Sequence, residues 1–269
     1  MYEKCDPELR PSVAQLDSSE RRKKQWRDYV AQTTGIDRAL GMVLDKLKEK
    51  KLERDTIVVY TTDHGDVLGA YGWHASAKII PHDSSTRVPF LLRYPGVLKP
   101  RRSSLIMGPL DQMPTLLGLM GIPVPASCQG RDLSKAIAAG DDGATDAVPL
   151  MMCAGGANEY RGVITRDWTF TAQRHDSPVN PLMDVLFDRR EDPQQLRNRF
   201  TDNVRVRRQM MKLTRHWMER FADPFVSARE LRSSAIEWRY PETGSATNRT
   251  SPLEWVKQPK LQPAKFRDE

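Results

Sequence analysis

No stretch of the chain comes near the roughly 20 consecutive apolar residues that a membrane-crossing helix needs. Neither a spanning helix nor a membrane partner is therefore expected. Cysteine is scarce: Cys5, Cys128 and Cys153 lie far apart with no C-x-x-C pair, which argues against a zinc knot and against a disulfide framework. The first residues, MYEKCDPELRPS, contain no apolar core of the kind an export signal carries, and a cytoplasmic location is the default expectation. Aromatic residues make up only 7% of the chain. The two basic clusters, RRKK at 21–24 and RVRRQMMK at 205–212, fall in helical patterns and lack the interleaved rings that stack on bases. Despite a net charge of +7 they read as solvated helix faces, and no nucleic-acid partner is expected. There is no internal repeat, and oligomeric state is left open.

What is present is a globular composition, 39% hydrophobic and 29% charged over 269 residues. That is enough for one large core, or a large domain with a smaller one. Residues 19–51 predict a long amphipathic helix, because Trp26, Tyr29, Val30, Ile36, Leu40, Val43, Leu44 and Leu47 recur at spacings of three and four. TIVVYTT then reads as a buried strand, and a long helix feeding an apolar strand points to a layered α/β sheet. An irregular loop follows, and RVPFLLRYPG gives a second buried strand over 88–94. SSLIMG predicts a weaker strand, and DQMPTLLGLMGIP a short helix capped by Asp111 and stopped at Gly121. Residues 134–147 are small and acidic and read as a linker or surface excursion. Beyond them, PLMMCAG, YRGVITRDWTFTAQR and DVLFDRRED predict short strands of an antiparallel sheet, and 203–221 a further amphipathic helix. The polar stretch after residue 232 is expected to run along the surface or to be partly disordered.

One segment stands apart, TIVVYTTDHGD at 56–66. In parallel α/β sheets ligands collect outside the carboxyl ends of strands, where Asp63 and His64 are expected to lie. Neighbouring residues in a turn can both face one ion, and carboxylate and imidazole are good ligands for divalent cations. Gly65 is expected to let the backbone turn sharply. On these residues alone, a capping aspartate is the plainer reading and a metal site the sharper one.

Four ordered segments widen the basis: TIVVYTTDHGDVLGAYG, STRVPFLLRYPG, DQMPTLLGLMGIPVPASCQGRDL and VLFDRREDPQQLRN. Together they resemble the sulfatase family of the alkaline-phosphatase-like superfamily, across residues 20–222. The resemblance implies an α/β fold. Residues 1–135 would form the C-terminal part of the catalytic α/β domain, a partial alkaline-phosphatase-like layered sheet. Residues 136–232 would form a small antiparallel sheet with a packed helix, and 233–269 a surface tail. It also implies metal-assisted hydrolysis of a small-molecule or carbohydrate sulfate ester, with a formylglycine nucleophile made from Cys or Ser. On this pattern Asp63 and His64 match the family's second pair of metal ligands, where Asn often takes the second place. Ca2+ is the most usual ion for the family; an imidazole ligand admits Mn2+, and Mg2+ is possible. Lys78 matches a family lysine that contacts the sulfate and the leaving oxygen, although WHASAK is longer than the usual Trp-to-Lys spacing. An exposed loop lysine is the alternative. His74 and His82 read as surface histidines, Arg87 as a structural bridge and Asp66 as a loop-orienting or supporting residue.

Two family features have no counterpart. The nucleophile motif is Cys/Ser-x-Pro-x-Arg, but CDPELR places Arg10 five residues after Cys5 rather than four. The only Asp-Asp pair, in GDDG at 140–143, has no apolar run before it and reads as a solvated turn. The expectation is a sulfatase-like hydrolase that is incomplete on this chain, its nucleophile on an upstream segment. The alternatives are a non-catalytic remnant or binding module, or a phosphonate or phosphate monoester hydrolase of the same superfamily.

Overall fold

The computed structural model describes residues 5–14, 16, 19–73, 78–153, 159–173 and 183–223. His74 and the tail expected over 233–269 lie outside these residues. After a single turn, α1 (Pro11–Ala14), thirty residues form α2 (Glu20–Glu49). Glu20 in its first turn and Lys46 and Lys48 in its last complement the helix dipole. The apolar stripe is there, but it is not covered. None of α2's residues is buried, and Ile36 and Met42 are 52% and 74% exposed. Only its first turns are held: Arg10 lies 4.9 Å over the Trp26 ring, and Arg27 donates to the Cys5 carbonyl at 3.2 Å.

β1 (Val58–Thr61) pairs antiparallel with β2 (Phe90–Arg93), with Val59 opposite Leu92. Both strands are shorter than their apolar runs. Neither is buried as expected, because the described elements do not close a second apolar layer over this two-stranded ribbon. Between the strands the chain makes a 3-10 turn, Ala70–Gly72, and the four-residue α3 (Asp83–Thr86). SSLIMG forms no strand. Its backbone is claimed elsewhere, since Ser104 N donates to Asp142 Oδ2 at 3.0 Å.

α4 (Pro109–Leu119) starts earlier than predicted. Gly108 is its N-cap, and Asp111 sits at the third helical position, where its carboxylate accepts from Gly108 N at 3.1 Å. The same carboxylate accepts from Arg131 N and Arg131 Nη2, both at 2.8 Å. The expected linker contains α5 (Ser134–Ala139), ended by Gly140 at φ 75°, the left-handed stop that glycine adopts without strain.

β3 (Ala147–Met152), β4 (Tyr160–Thr165), β5 (Trp168–Gln173) and β6 (Val185–Asp188) make an antiparallel sheet in sequence order, as the pattern predicted. α6 (Val204–Arg220) opens on Asn203, whose side chain accepts from Val206 N. Its buried face, Val206, Met210, Met211, Thr214, Trp217 and Met218, follows the three-and-four spacing. That face closes a core with Val163, Phe170, Leu186 and Phe200. A second cluster joins Leu9, Val13, Val67, Ala70, Ile80, Tyr160 and Met183. It pins the loop after β1 between the N-terminal segment and the start of β4. Among the described residues no helix is long and apolar enough to cross a membrane.

Candidate active site

β1 ends at Thr61, and the chain turns at once through Asp63 and His64. Asp63 is exposed. Its Oδ1 accepts from His64 N at 3.0 Å and from the Thr62 hydroxyl at 3.1 Å. Those two donors, the His64 amide foremost, hold its carboxyl below the usual carboxylate range, so it is ionised at neutral pH. His64 Nδ1 lies 2.8 Å from the Gly65 carbonyl. A carbonyl only accepts, so Nδ1 carries the donated proton and Nε2 is the ring atom turned towards Asp63. Nε2 stands 3.4 Å from Asp63 Oδ2. A proton on Nε2 or a cation between the two atoms accommodates that separation. Metal–ligand bonds of roughly 2.0–2.6 Å give adjacent ligands a spacing of this order. The turn therefore fits a divalent cation as two of its ligands. No group of three or more His, Cys, Asp or Glu is placed to hold a metal ion among the described residues.

Gly65 is not the sharp turn expected of it; the left-handed conformations fall instead at Leu68 (φ 50°), Gly69 (φ 84°) and Tyr71 (φ 58°). What requires glycine at 65 is close approach, because a methyl there would overlap the Ser84 carbonyl. Gly65 N donates to Ser85 O at 2.7 Å. Ser85 is buried, and its hydroxyl donates to the Lys78 carbonyl. Lys78 is thus tied to the Asp63–His64 turn through one serine. Its side chain is exposed, and among the described residues it makes no ion pair with Asp63 or His64. Asp66 orients the loop, its Oδ1 accepting from Leu68 N at 2.9 Å.

His82 is not a surface histidine. It is 2% exposed, with its ring 4.1 Å from Tyr71 and 4.7 Å from Phe187. Burial among these rings pushes its pKa down to about 3. Phe187 is 105 positions further along the chain, and no local pattern signals such a contact. Arg87 reaches Asp83 Oδ2 at 3.8 Å from an exposed position, a loose structural bridge. The Asp-Asp pair at 141–142 is no bare turn either. Asp142 accepts from Arg101, Ser103 and Ser104, which hold its carboxyl low and leave it little capacity for a metal.

Residues 3–122 match the family described as Sulfatase, and residues 69–222 the one described as N-sulphoglucosamine sulphohydrolase, C-terminal. The ulvan-active sulfatase of Formosa agariphila is 34% identical over 199 residues, covering 71% of this chain and 37% of that protein. A solved structure from Bacteroides fragilis matches with a TM-score of 0.70 at 30% identity, covering 80% of this chain and 47% of that one. Another was solved in complex with its substrate D-glucosamine-2-N,6-O-disulfate. It matches with a TM-score of 0.64 at 25% identity, covering 75% of this chain and 42% of that one. The chain spans less than half the length of each of these relatives.

Proposed function

The chain belongs to the sulfatase family, and from that premise we propose that it carries the C-terminal part of the site of a sulfuric ester hydrolase acting on a carbohydrate or small-molecule sulfate. The observation that carries this reading is the convergence of Asp63 Oδ2 and His64 Nε2, 3.4 Å apart, with the other imidazole nitrogen already satisfied. Asp63 supplies an ionised carboxylate and His64 its Nε2, oriented by the bond from Nδ1 to the Gly65 carbonyl. A divalent cation, when bound, polarises the oxygens of the sulfate group. The carboxylate suits Ca2+, Mn2+ and Mg2+, and the imidazole nitrogen favours Mn2+ among the three. Lys78, anchored at its backbone by Ser85, brings an ammonium to neutralise charge on the leaving oxygen.

The nucleophile is another matter. The 269 residues hold no Cys/Ser-x-Pro-x-Arg motif. We place the formylglycine and the remaining cation ligands on sulfatase-family sequence outside these residues. The substrate class follows the relatives, one named for its activity on ulvan and one holding a sulfated glucosamine.

Hydrolysis of 4-nitrophenyl sulfate tests the reading. The purified chain alone is expected to show no turnover. Assembled with a family N-terminal segment that carries the motif, in a host that makes formylglycine, it should turn over. Lys78→Ala should then lower kcat by about 10²–10³. Turnover by the chain alone contradicts the placement of the nucleophile, and an inert, folded assembly contradicts the hydrolase reading.

A further inference from the structure

Gln195 is an unusual residue for a surface turn. It is 1% exposed, and its backbone is left-handed at φ 54°, a conformation a side chain adopts at a cost. A primary amide can be buried only if its donors and acceptor are used. They are. Oε1 accepts from Asp83 N at 2.5 Å, and Nε2 donates to Asp83 Oδ1 at 3.1 Å and to Thr169 Oγ1 at 3.3 Å. Arg189 adds to the same grip, its Nη1 donating to Asp83 Oδ1 at 2.7 Å and to Thr169 Oγ1 at 3.0 Å. From the other side the Tyr71 hydroxyl donates to the Gln194 carbonyl at 3.0 Å.

Asp83 is the first residue of α3, and its amide is one of the donors a helix start leaves without a partner. A four-residue helix has no stability of its own, so its position is set by what holds its end. Two residues on, Ser85 receives Gly65 N at 2.7 Å and donates to the Lys78 carbonyl. The contacts form one path, from Gln195 to Asp83, along α3 to Ser85, and from there to both halves of the site. We infer that Gln195 is a positioning residue for the Asp63–His64 turn and for Lys78, although 112 residues separate it from Asp83. Among the described residues its hydrogen bonds reach the site through α3. The inference rests on reading Asp63, His64 and Lys78 as the site.

Amide hydrogen exchange on the full 269-residue chain tests it without metal or substrate. Gln195→Glu has the same shape and keeps the acceptor for Asp83 N, but it turns a carboxylate oxygen towards Asp83 Oδ1. The Gly65 amide should then exchange about tenfold faster or more, while the amides of the β4–β5 ladder keep their rates. An unchanged Gly65 rate in Gln195→Glu overturns the inference. So does a rise shared by the β4–β5 amides. If Gln195→Glu does not fold, the parent chain in rising urea decides. The Asp83 and Gly65 amides must share one opening free energy and one urea slope, and unequal values overturn the coupling. Mn2+ broadening of the His64 ring in the parent reports the site reading separately.

Discussion

The two sheets of this chain are covered very differently. On β3–β6, α6 lies across an inner face where Val163, Phe170 and Leu186 are 0% exposed and Trp217 closes the layer. On the β1–β2 ribbon every residue of β1 is only half-buried, Leu91 is 60% exposed, and α2 buries none of its residues. Both regions carry an apolar pattern in the sequence, so pattern alone does not make a core; a second apolar layer does. Exposed apolar surface on this scale marks a contact face. Under the proposal above, it is the face that the rest of the catalytic fold covers. The Asp63–His64 turn projects from the open ribbon, yet it is fixed from the closed side. Val67, Ala70 and Ile80 sit in a cluster with Tyr160 of β4, and Gln195 holds α3.

The sharpest way to break this contrast is to cut one core. Phe170→Ala should cost about 3–5 kcal/mol in urea unfolding, the cost of a large cavity in a layer that cannot collapse. A loss under about 1 kcal/mol would mean the C-terminal core is not closed. Next comes acid. His82 is held neutral in the fold, with its pKa at about 3 against an ordinary 6.5. Between those values the unfolded chain binds a proton that the folded chain does not. Its contribution is therefore intact above pH 6.5 and falls as pH drops, by about 1.4 kcal/mol per pH unit, until about pH 3. His82→Phe should flatten that part of the dependence, read from urea midpoints at pH 7 and pH 5. Parallel curves for parent and variant would place the proton elsewhere.

Gly65→Ala drives a methyl into the Ser84 carbonyl and should cost about 1–3 kcal/mol in thermal unfolding, by overpacking where the ribbon meets α3. A neutral result would show that the two segments are free to separate. The smallest effect belongs to α2, where Val43→Ala should stay within about 0.5 kcal/mol. A cost matching Phe170→Ala would show that α2 is covered after all.

Much of this organisation was legible in the sequence, because it rests on local periodicity. The long helix, the two central strands, the four short C-terminal strands and α6 all stand where spacing put them. Local chemistry misled where a distant partner intervened. Ser103 and Ser104 were claimed by Asp142 rather than by a strand, and Asp111 caps its helix from the third position, through Gly108 N, and holds Arg131, rather than standing at the N-cap itself. His82 read as a loop histidine because nothing nearby in sequence encloses it. At the candidate site, Asp63, His64 and Lys78 were singled out by the motif, whereas what holds them was not. Ser85 and Gln195 are ordinary residues in the sequence, and only the fold brings them to Gly65, Lys78 and Asp83.

The most direct test of the account is an Mn2+ titration of the 269-residue chain followed by electron paramagnetic resonance, beside the double variant Asp63→Asn, His64→Gln. Asp63 is exposed and His64 half-buried at the strand end, so the variant should stay folded, with a urea midpoint close to the parent's. The account predicts one weak, saturable Mn2+ site in the parent and its loss in the variant. Equal binding by the two proteins, or none by either, would contradict it.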